Sequence, residues 1–360
     1  MKILYAIQGT GNGHLSRARD VIPILQKNNE VDILISGTQA DVKLPYDIKF
    51  NYKGLSFIFG NSGGVDLMET YRKSNLKNLF LEINTLPIQD YDLIINDFEP
   101  VSAWACYLNN KTCISISHQA AVLNKNAPQP KDIDPVGRAI LKNYAPTMAK
   151  FGFHFQAYDK QIFTPVIRSQ VRDQIIEDNG HYTVYLPSYS DDHILNILMH
   201  FEDVKWEVFS KHNKKVFNGQ NVSIQPINNE AFIKSMATSK GVLCGAGFET
   251  PAEALFMKKK LMVIPMKGQF EQQCNAAALK DMGIPVIKSL KLKHYEKIRS
   301  WIDDDTIIEV DYPNNTEKII EDILFRYSNP EKIISDKPQQ IPETIADLQR
   351  LILKKIIKQL

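Results

Sequence analysis

Apolar and polar residues follow two alternating rhythms along the first half of the chain. Lys2–Ile7 is a short, nearly continuous apolar run, the pattern of a strand buried on both faces. Leu15, Ala18, Val21, Ile22 and Leu25 then recur at three- and four-residue spacing, which predicts a helix with one apolar face. Val31–Ser36, closed by Gly37, predicts a second strand. Asp92–Asn96 and Thr112–Ser117 predict two more, with a helix over Val101–Leu108 between them. Strands separated by helices need crossover connections, so the pattern predicts a parallel sheet covered on both faces. Gly54–Gly64 breaks the rhythm and reads as an irregular insertion near the site.

The second half restarts the rhythm, with strands predicted at Tyr182–Leu186, Trp206–Phe209, Val222–Gln225, Gly241–Cys244 and Leu261–Pro265. Between the halves, Gln161-Ile162-Phe163 is strand-like, followed by Pro165, two arginines and the polar Glu177-Asp178-Asn179-Gly180. The expected organisation is a first domain over 1–164, a linker over 165–180, a second domain over 181–330 and a tail over 331–360. In the tail, Ile345, Leu348, Ile352 and Ile356 share one helix face. A membrane-surface helix is one reading of that face, and packing back onto the body is the other.

Length and composition agree with two packed domains: 360 residues exceed what one hydrophobic core usually holds, and 44% are hydrophobic. Charge nearly cancels, 43 Lys+Arg against 41 Asp+Glu, which argues against a nucleic-acid binder. Cys106, Cys113, Cys244 and Cys274 have no zinc or disulfide spacing. No apolar run is long enough to span a membrane, and the first residues read as a strand rather than a signal peptide. The expected location is the cytoplasm, or its membrane face if the tail helix lies on lipid.

Chemistry enters at Gln8-Gly9-Thr10-Gly11-Asn12-Gly13-His14, which joins the first strand to the first helix. Glycines there let a ligand approach the backbone, and the helix start offers free N–H groups to an anion. A dinucleotide fingerprint would need a third glycine where His14 stands, and Ser36-Gly37-Thr38 supplies no acid for a ribose. The positive end of a helix disfavours a cation, so a histidine here is suited to act as a general base; a loop-capping histidine is the alternative. Asp97, at another strand's end, is the candidate partner for its ring. The competing reading makes Asp97 the cap of the helix near Pro100, with Glu99 as rival partner. His118, also at a strand end, is either a contact for acceptor or phosphate or a structural histidine.

The second half carries the more specific segment. Leu243-Cys244-Gly245-Ala246-Gly247-Phe248-Glu249-Thr250-Pro251 runs from a strand through small residues into a helix with proline in its first turn, an anion site of backbone amides. Glu253, one turn in, is placed to accept hydrogen bonds from a ribose diol. Pro265 follows, and then Gln269-Phe270-Glu271-Gln272-Gln273-Cys274-Asn275-Ala276, which sets polar side chains at the next strand's end.

These two linked segments resemble the donor-binding signature of inverting GT-B glycosyltransferases, a group that includes plant and glucuronosyl enzymes and the lipid II N-acetylglucosaminyltransferase. Gly247 to Glu253 and Glu253 to Pro265 keep that signature's spacings, and Glu271-Gln272 with Asn275-Ala276 match its ending after a short extra segment. The first loop resembles the glycine-rich, histidine-ending loop of the same enzymes, and Asp97 ahead of Trp104 resembles their supporting aspartate, at a longer interval. The resemblance implies two Rossmann-like, doubly wound parallel-sheet domains facing across a cleft. It implies a nucleotide-diphosphate sugar donor, with uridine as base, and an acceptor hydroxyl held mainly by the first domain. The implied donor-binding set is Gly11, Gly13, Gly245, Ala246, Gly247, Phe248, Thr250, Glu253, Glu271, Gln272 and Asn275, with His14 and Asp97 catalytic and His118 and Glu99 toward acceptor or phosphate. Gly245 stands where such enzymes often have a phosphate-contacting histidine, so backbone amides must carry more of the phosphate binding.

The implied reaction is a single displacement that inverts the anomeric carbon. No cofactor is expected, since the nucleotide sugar is a substrate. No metal is expected either: Asp90-Tyr91-Asp92, Asp132-Ile133-Asp134 and Asp303-Asp304-Asp305 lack the context of an Asp-x-Asp metal site. Lys258-Lys259-Lys260 reads as a solvated face. Two other functions fit the same fold: an epimerase or hydrolase of nucleotide sugars, and a sensor that binds them without turnover.

Overall fold

The computed structural model describes residues 1–37, 44–55 and 76–328. Most of the Gly54–Gly64 insertion and the tail helix face on Ile345, Leu348, Ile352 and Ile356 lie outside the described residues.

The first sheet is built from β1 (Lys2–Gln8), β2 (Glu30–Ser36), β3 (Phe50–Tyr52), β4 (Leu93–Asp97), β5 (Cys113–Ile116), β6 (Ala149–Phe153) and β7 (Ile162–Phe163). Its order is β3-β2-β1-β4-β5-β6-β7, and every pairing is parallel. The second contains β8 (His181–Tyr185), β9 (Lys205–Ser210), β10 (Phe217–Asn218), β11 (Val222–Pro226), β12 (Gly241–Gly245) and β13 (Lys260–Ile264). Its order is β10-β11-β9-β8-β12-β13, parallel except for the short β10 hairpin. Strand order reverses between β1 and β4 in one sheet and between β8 and β12 in the other. Such reversals open crevices at the carboxyl ends of the strands, where α/β folds bind ligands.

Strands anticipated from apolar runs lie within a residue or two of their expected limits. Three short ones carry no such signal: β3 (Phe-Asn-Tyr), β6 (Ala-Lys-Phe-Gly-Phe) and β10. The first helix, α1 (Asn12–Gln26), buries Leu15, Ala18, Val21, Ile22 and Leu25 as its periodicity requires, and buries Arg17 as well. Ser117, expected within a strand, instead caps the helix His118–Val122 by accepting from the Ala120 N–H.

The helix Thr316–Tyr327 belongs by chain position to the second half but packs on α1. Its Ile319, Ile320 and Ile323 join the core that contains Val21, Ile22 and Leu25. Lys27 and Glu317 pair across the same contact. The chain therefore returns to its first sheet after completing the second.

The run Lys258-Lys259-Lys260 departs from the solvated face expected of it. Lys258 remains exposed, but Lys259 and Lys260 are buried. Lys259 Nζ donates to the carbonyls of Glu177 (2.6 Å) and Ser239 (2.8 Å), and Lys260 Nζ to that of Ile302 (2.7 Å). Burying an ammonium requires such partners, which here are mainly carbonyl oxygens, with Asp305 Oδ1 3.9 Å from Lys260 Nζ. Lys258 sits at φ +54° directly after the helix Glu249–Phe256, with Lys258 N–H bonded to the Leu255 carbonyl and Lys259 N–H to that of Ala254. This is a Schellman ending, whose left-handed position favours glycine. Lys258→Gly is expected to raise the unfolding free energy by about 1 kcal/mol, measured by denaturant titration.

Candidate functional site

The glycine loop is shaped first by close approach. Gly9 N–H donates to the Ser36 carbonyl (2.7 Å), and a Cβ on Gly9 would lie 2.8 Å from Ile35 Cγ2. Gly11 takes φ +96°. A Cβ on Gly13 would lie 2.6 Å from the Glu249 carboxylate, so this glycine admits a side chain of the second unit.

His14 stands in the first turn of α1, with Nδ1 2.8 Å from Asp97 Oδ1. Asp97 ends β4 and is fully buried. The chain turns sharply after it: Phe98 adopts φ +59°, a conformation costing a non-glycine residue on the order of 1–2 kcal/mol. That turn lays the Phe98 ring nearly parallel to the His14 imidazole, at 10° and 6.3 Å between centroids. It also brings Glu99 to the N-cap of the helix Pro100–Leu108. There the Glu99 carboxylate accepts from Val101 N–H, Ser102 N–H and the Ser36 hydroxyl. The competing reading is thereby reversed: Glu99 is the cap and Asp97 faces the histidine. Glu99 is fully buried and engaged in this cap, so the contact to His14 expected of it as rival partner is not made.

Asp97 has a second partner that sequence reading missed. Arg17, only 2% exposed, donates from Nη2 to both carboxylate oxygens, at 2.7 and 2.8 Å. Burial alone would push the Asp97 carboxyl up. The charges of Arg17 and His14, with their hydrogen bonds, outweigh it and hold Asp97 below the ordinary carboxylate value. The same guanidinium donates from Nη1 to Glu249 Oε1 of the second unit (2.5 Å).

Across the cleft, β12 ends at Gly245 and the helix Glu249–Phe256 begins with Thr250 and Pro251 in its first turn. A Cβ on Gly247 would meet nothing within 4 Å. Phe248 and Asn275 instead contact the first unit. The Phe248 ring stacks on His118 at 3.9 Å and 5°, and the Asn275 side-chain oxygen lies 2.8 Å from His118 Nε2. Asn275 Nδ2 also donates to the Ala246 carbonyl (3.1 Å), while His118 Nδ1 donates to that of Phe153 (2.8 Å). Burial lowers the affinity of His118 for a proton, against the pull of Glu271.

The remaining expected donor contacts are held by protein groups. Glu253 receives a bidentate pair from Arg168, Nε at 2.5 Å and Nη2 at 2.8 Å. Burial still pushes the Glu253 carboxyl up. Glu271 accepts from Gln119 Nε2 (3.0 Å), and Gln272 Oε1 accepts from Met266 N–H (2.9 Å), bracing the loop after β13. Gln8 Oε1, Thr10 Oγ1, Gln119 Oε1 and Gln269 Oε1 are among the buried polar atoms that have no hydrogen-bond partner among the described residues. A cavity of about 940 Å³ opens between the 130–134 segment and Pro265, Met266 and Gln273.

Arg17, Gln119, Arg168 and Glu249 thus bond the candidate residues or one another, contacts that sequence reading passed over. Arg17 had a signal, as a charged residue one helical turn from His14 beside an apolar stripe. The Asp-x-Asp strings serve local structure. Asp92 accepts from Lys2 N–H, Asp134 from Gly137 N–H and Asp304 from Thr306 N–H. Among the described residues no three His, Cys, Asp or Glu side chains gather as metal ligands, and no helix is long and apolar enough to cross a membrane.

Comparisons with known proteins agree with this fold. MurG of Acinetobacter baumannii superposes with a TM-score of 0.55 at 14% identity, covering 90% of this chain and 99% of that one. UGT89C1 of Arabidopsis thaliana, complexed with UDP, gives 0.56 at 12% identity over 98% of this chain and 99% of that one. UGT2 of Phytolacca americana, complexed with UDP-2fluoro-glucose and pterostilbene, gives 0.55 at 13% over 91% and 100%. The fold is GT-B. No curated protein matches the sequence. Residues 1–303 match the profile of glycosyl transferase family 1, and the chain is a member of that family, a glycosyltransferase.

Proposed function

We propose that the protein transfers a sugar from a uridine diphosphate donor to an acceptor hydroxyl with inversion, using His14 as general base. The observation that carries this reading is the 2.8 Å contact between His14 Nδ1 and the buried Asp97, at a cleft edge facing the start of the helix Glu249–Phe256. Asp97 accepts the Nδ1 proton, which leaves the ring's lone pair on Nε2 as the position that takes a proton. His14 Nε2 removes the acceptor hydroxyl proton as that oxygen bonds to the anomeric carbon. The bond from this carbon to the diphosphate breaks on the opposite face, and its electron pair leaves with the nucleoside diphosphate. Backbone N–H groups from Gly247 to Thr250 meet the charge that develops there. UDP is chosen as the donor's nucleotide because the UGT89C1 structure holds it. No cofactor or metal takes part in this scheme.

A thermal-shift screen with UDP-glucose, UDP-N-acetylglucosamine, dTDP-glucose and GDP-mannose tests the donor, since stabilisation follows RT ln(1 + [L]/Kd). The UDP sugars are expected to stand out, and a preference for GDP-mannose would reject uridine. Proton NMR of the product is expected to show the anomer opposite to the donor's; the same anomer would exclude single displacement. EDTA is expected to leave turnover unchanged. Donor consumed with no acceptor product would favour the epimerase or hydrolase reading, and tight binding without turnover the sensor.

A further inference from the structure

Gln119 lies beside the base and has no role in the scheme above. It follows His118 in the helix His118–Val122 and is 4% exposed. Its Nε2 donates to Glu271 Oε2 at 3.0 Å and lies 3.4 Å from His14 Nε2. Its Oε1 is buried and has no hydrogen-bond partner among the described residues.

The amide's orientation is fixed by chemistry on both sides. Turning it over would set Oε1 against the Glu271 carboxylate and against the His14 nitrogen that carries a lone pair while Asp97 holds the Nδ1 proton. Both would be acceptor against acceptor. Nε2 must therefore face these groups, and Oε1 is left as an unsatisfied acceptor within the site. A buried polar group without a partner is costly, and at a functional site it marks a group whose partner arrives with the ligand. An amide oxygen accepts only from a donor, and on a sugar the donors are hydroxyls. The acceptor's reacting hydroxyl is excluded, because its proton goes to His14. Glu271 and Gln272 belong to the set that the resemblance assigns to the donor, and Gln119 is bonded to the first of them.

We propose that Gln119 is a specificity-determining residue whose Oε1 accepts a hydrogen bond from a hydroxyl of the transferred sugar, held between His14 and Glu271. The proposal rests on the glycosyl-transfer reading. It makes Gln119 a first-unit side chain that reads the donor sugar.

The test is calorimetric binding of UDP, UDP-glucose and UDP-N-acetylglucosamine to the wild type, Gln119→Met and Gln119→Ala. UDP affinity should be the same in all three proteins, which also controls for folding. The better-bound UDP sugar should lose about tenfold in both variants, the loss expected for one hydrogen bond. Donors deoxygenated at each ring hydroxyl in turn should include one that binds wild type and variant equally, closing a double-mutant cycle on that hydroxyl. Equal losses for UDP and UDP sugar, or no loss for either, would overturn the proposal. If no nucleotide sugar binds the wild type, the transfer reading itself fails, and Gln119 with it.

Discussion

His14→Ala is expected to lower transfer by about 10²–10⁴-fold, the usual contribution of a general base, while donor affinity stays within about twofold. The separation follows from placement. His14 belongs to the first unit and is held by Asp97 and Phe98, whereas the amides assigned to the diphosphate follow β12 in the second. Removing the imidazole withdraws a proton acceptor needed only as the acceptor oxygen attacks, and leaves the donor's phosphate contacts in place. Single-turnover kinetics at saturating donor, paired with calorimetric donor binding, provides the check. Undiminished turnover would remove His14 from the mechanism. Asp97→Asn should follow the same division, because an amide in place of the carboxylate no longer fixes the ring's tautomer.

Arg17→Met is expected to destabilise the fold by about 3–5 kcal/mol, the usual consequence of leaving a buried charge without its partner. Arg17 holds both oxygens of Asp97, and without it the carboxylate would keep its contacts to His14 and Tyr5 but no permanent cation. The pH dependence gives a more specific signature. In the wild type Asp97 is held below its ordinary value, so its contribution is present at neutral pH and is lost only as pH falls below about 4. Without Arg17, burial dominates and raises the carboxyl. The variant then carries its largest deficit at neutral pH, and protonation relieves it on the way down. The stability difference between wild type and Arg17→Met should therefore shrink steadily between pH 7 and pH 4 in urea titrations. A constant difference would show that Arg17 stabilises by packing alone.

What was legible in the sequence depended on how local its signal was. Asp97 ends one apolar run and His14 follows the short glycine loop after another, and parallel strands set such positions along one edge, so their approach could be anticipated from chain position. Glu99 could have been assigned too: Pro100 at the first helical position makes its predecessor the N-cap, a rule that separates Glu99 from Asp97. The pairs Arg17–Glu249, Arg168–Glu253 and Gln119–Glu271 were not legible. Each joins residues from different units or from the linker, and no local pattern encodes how the units face one another. For the same reason Glu253 and Asn275, singled out for ligand contacts, were not seen to bond protein. The buried lysines 259 and 260 were misread because their partners are distant backbone carbonyls, which leave no trace in side-chain pattern.

The return of the helix Thr316–Tyr327 to α1 has a consequence for synthesis. A chain made from its N-terminus usually completes domains in order. Here the core around Val21, Ile22 and Leu25 lacks Ile319, Ile320 and Ile323 until nearly the whole described chain has been made. The first sheet must wait, incompletely covered, while the second folds. The two units then finish together, which predicts one shared unfolding transition rather than two.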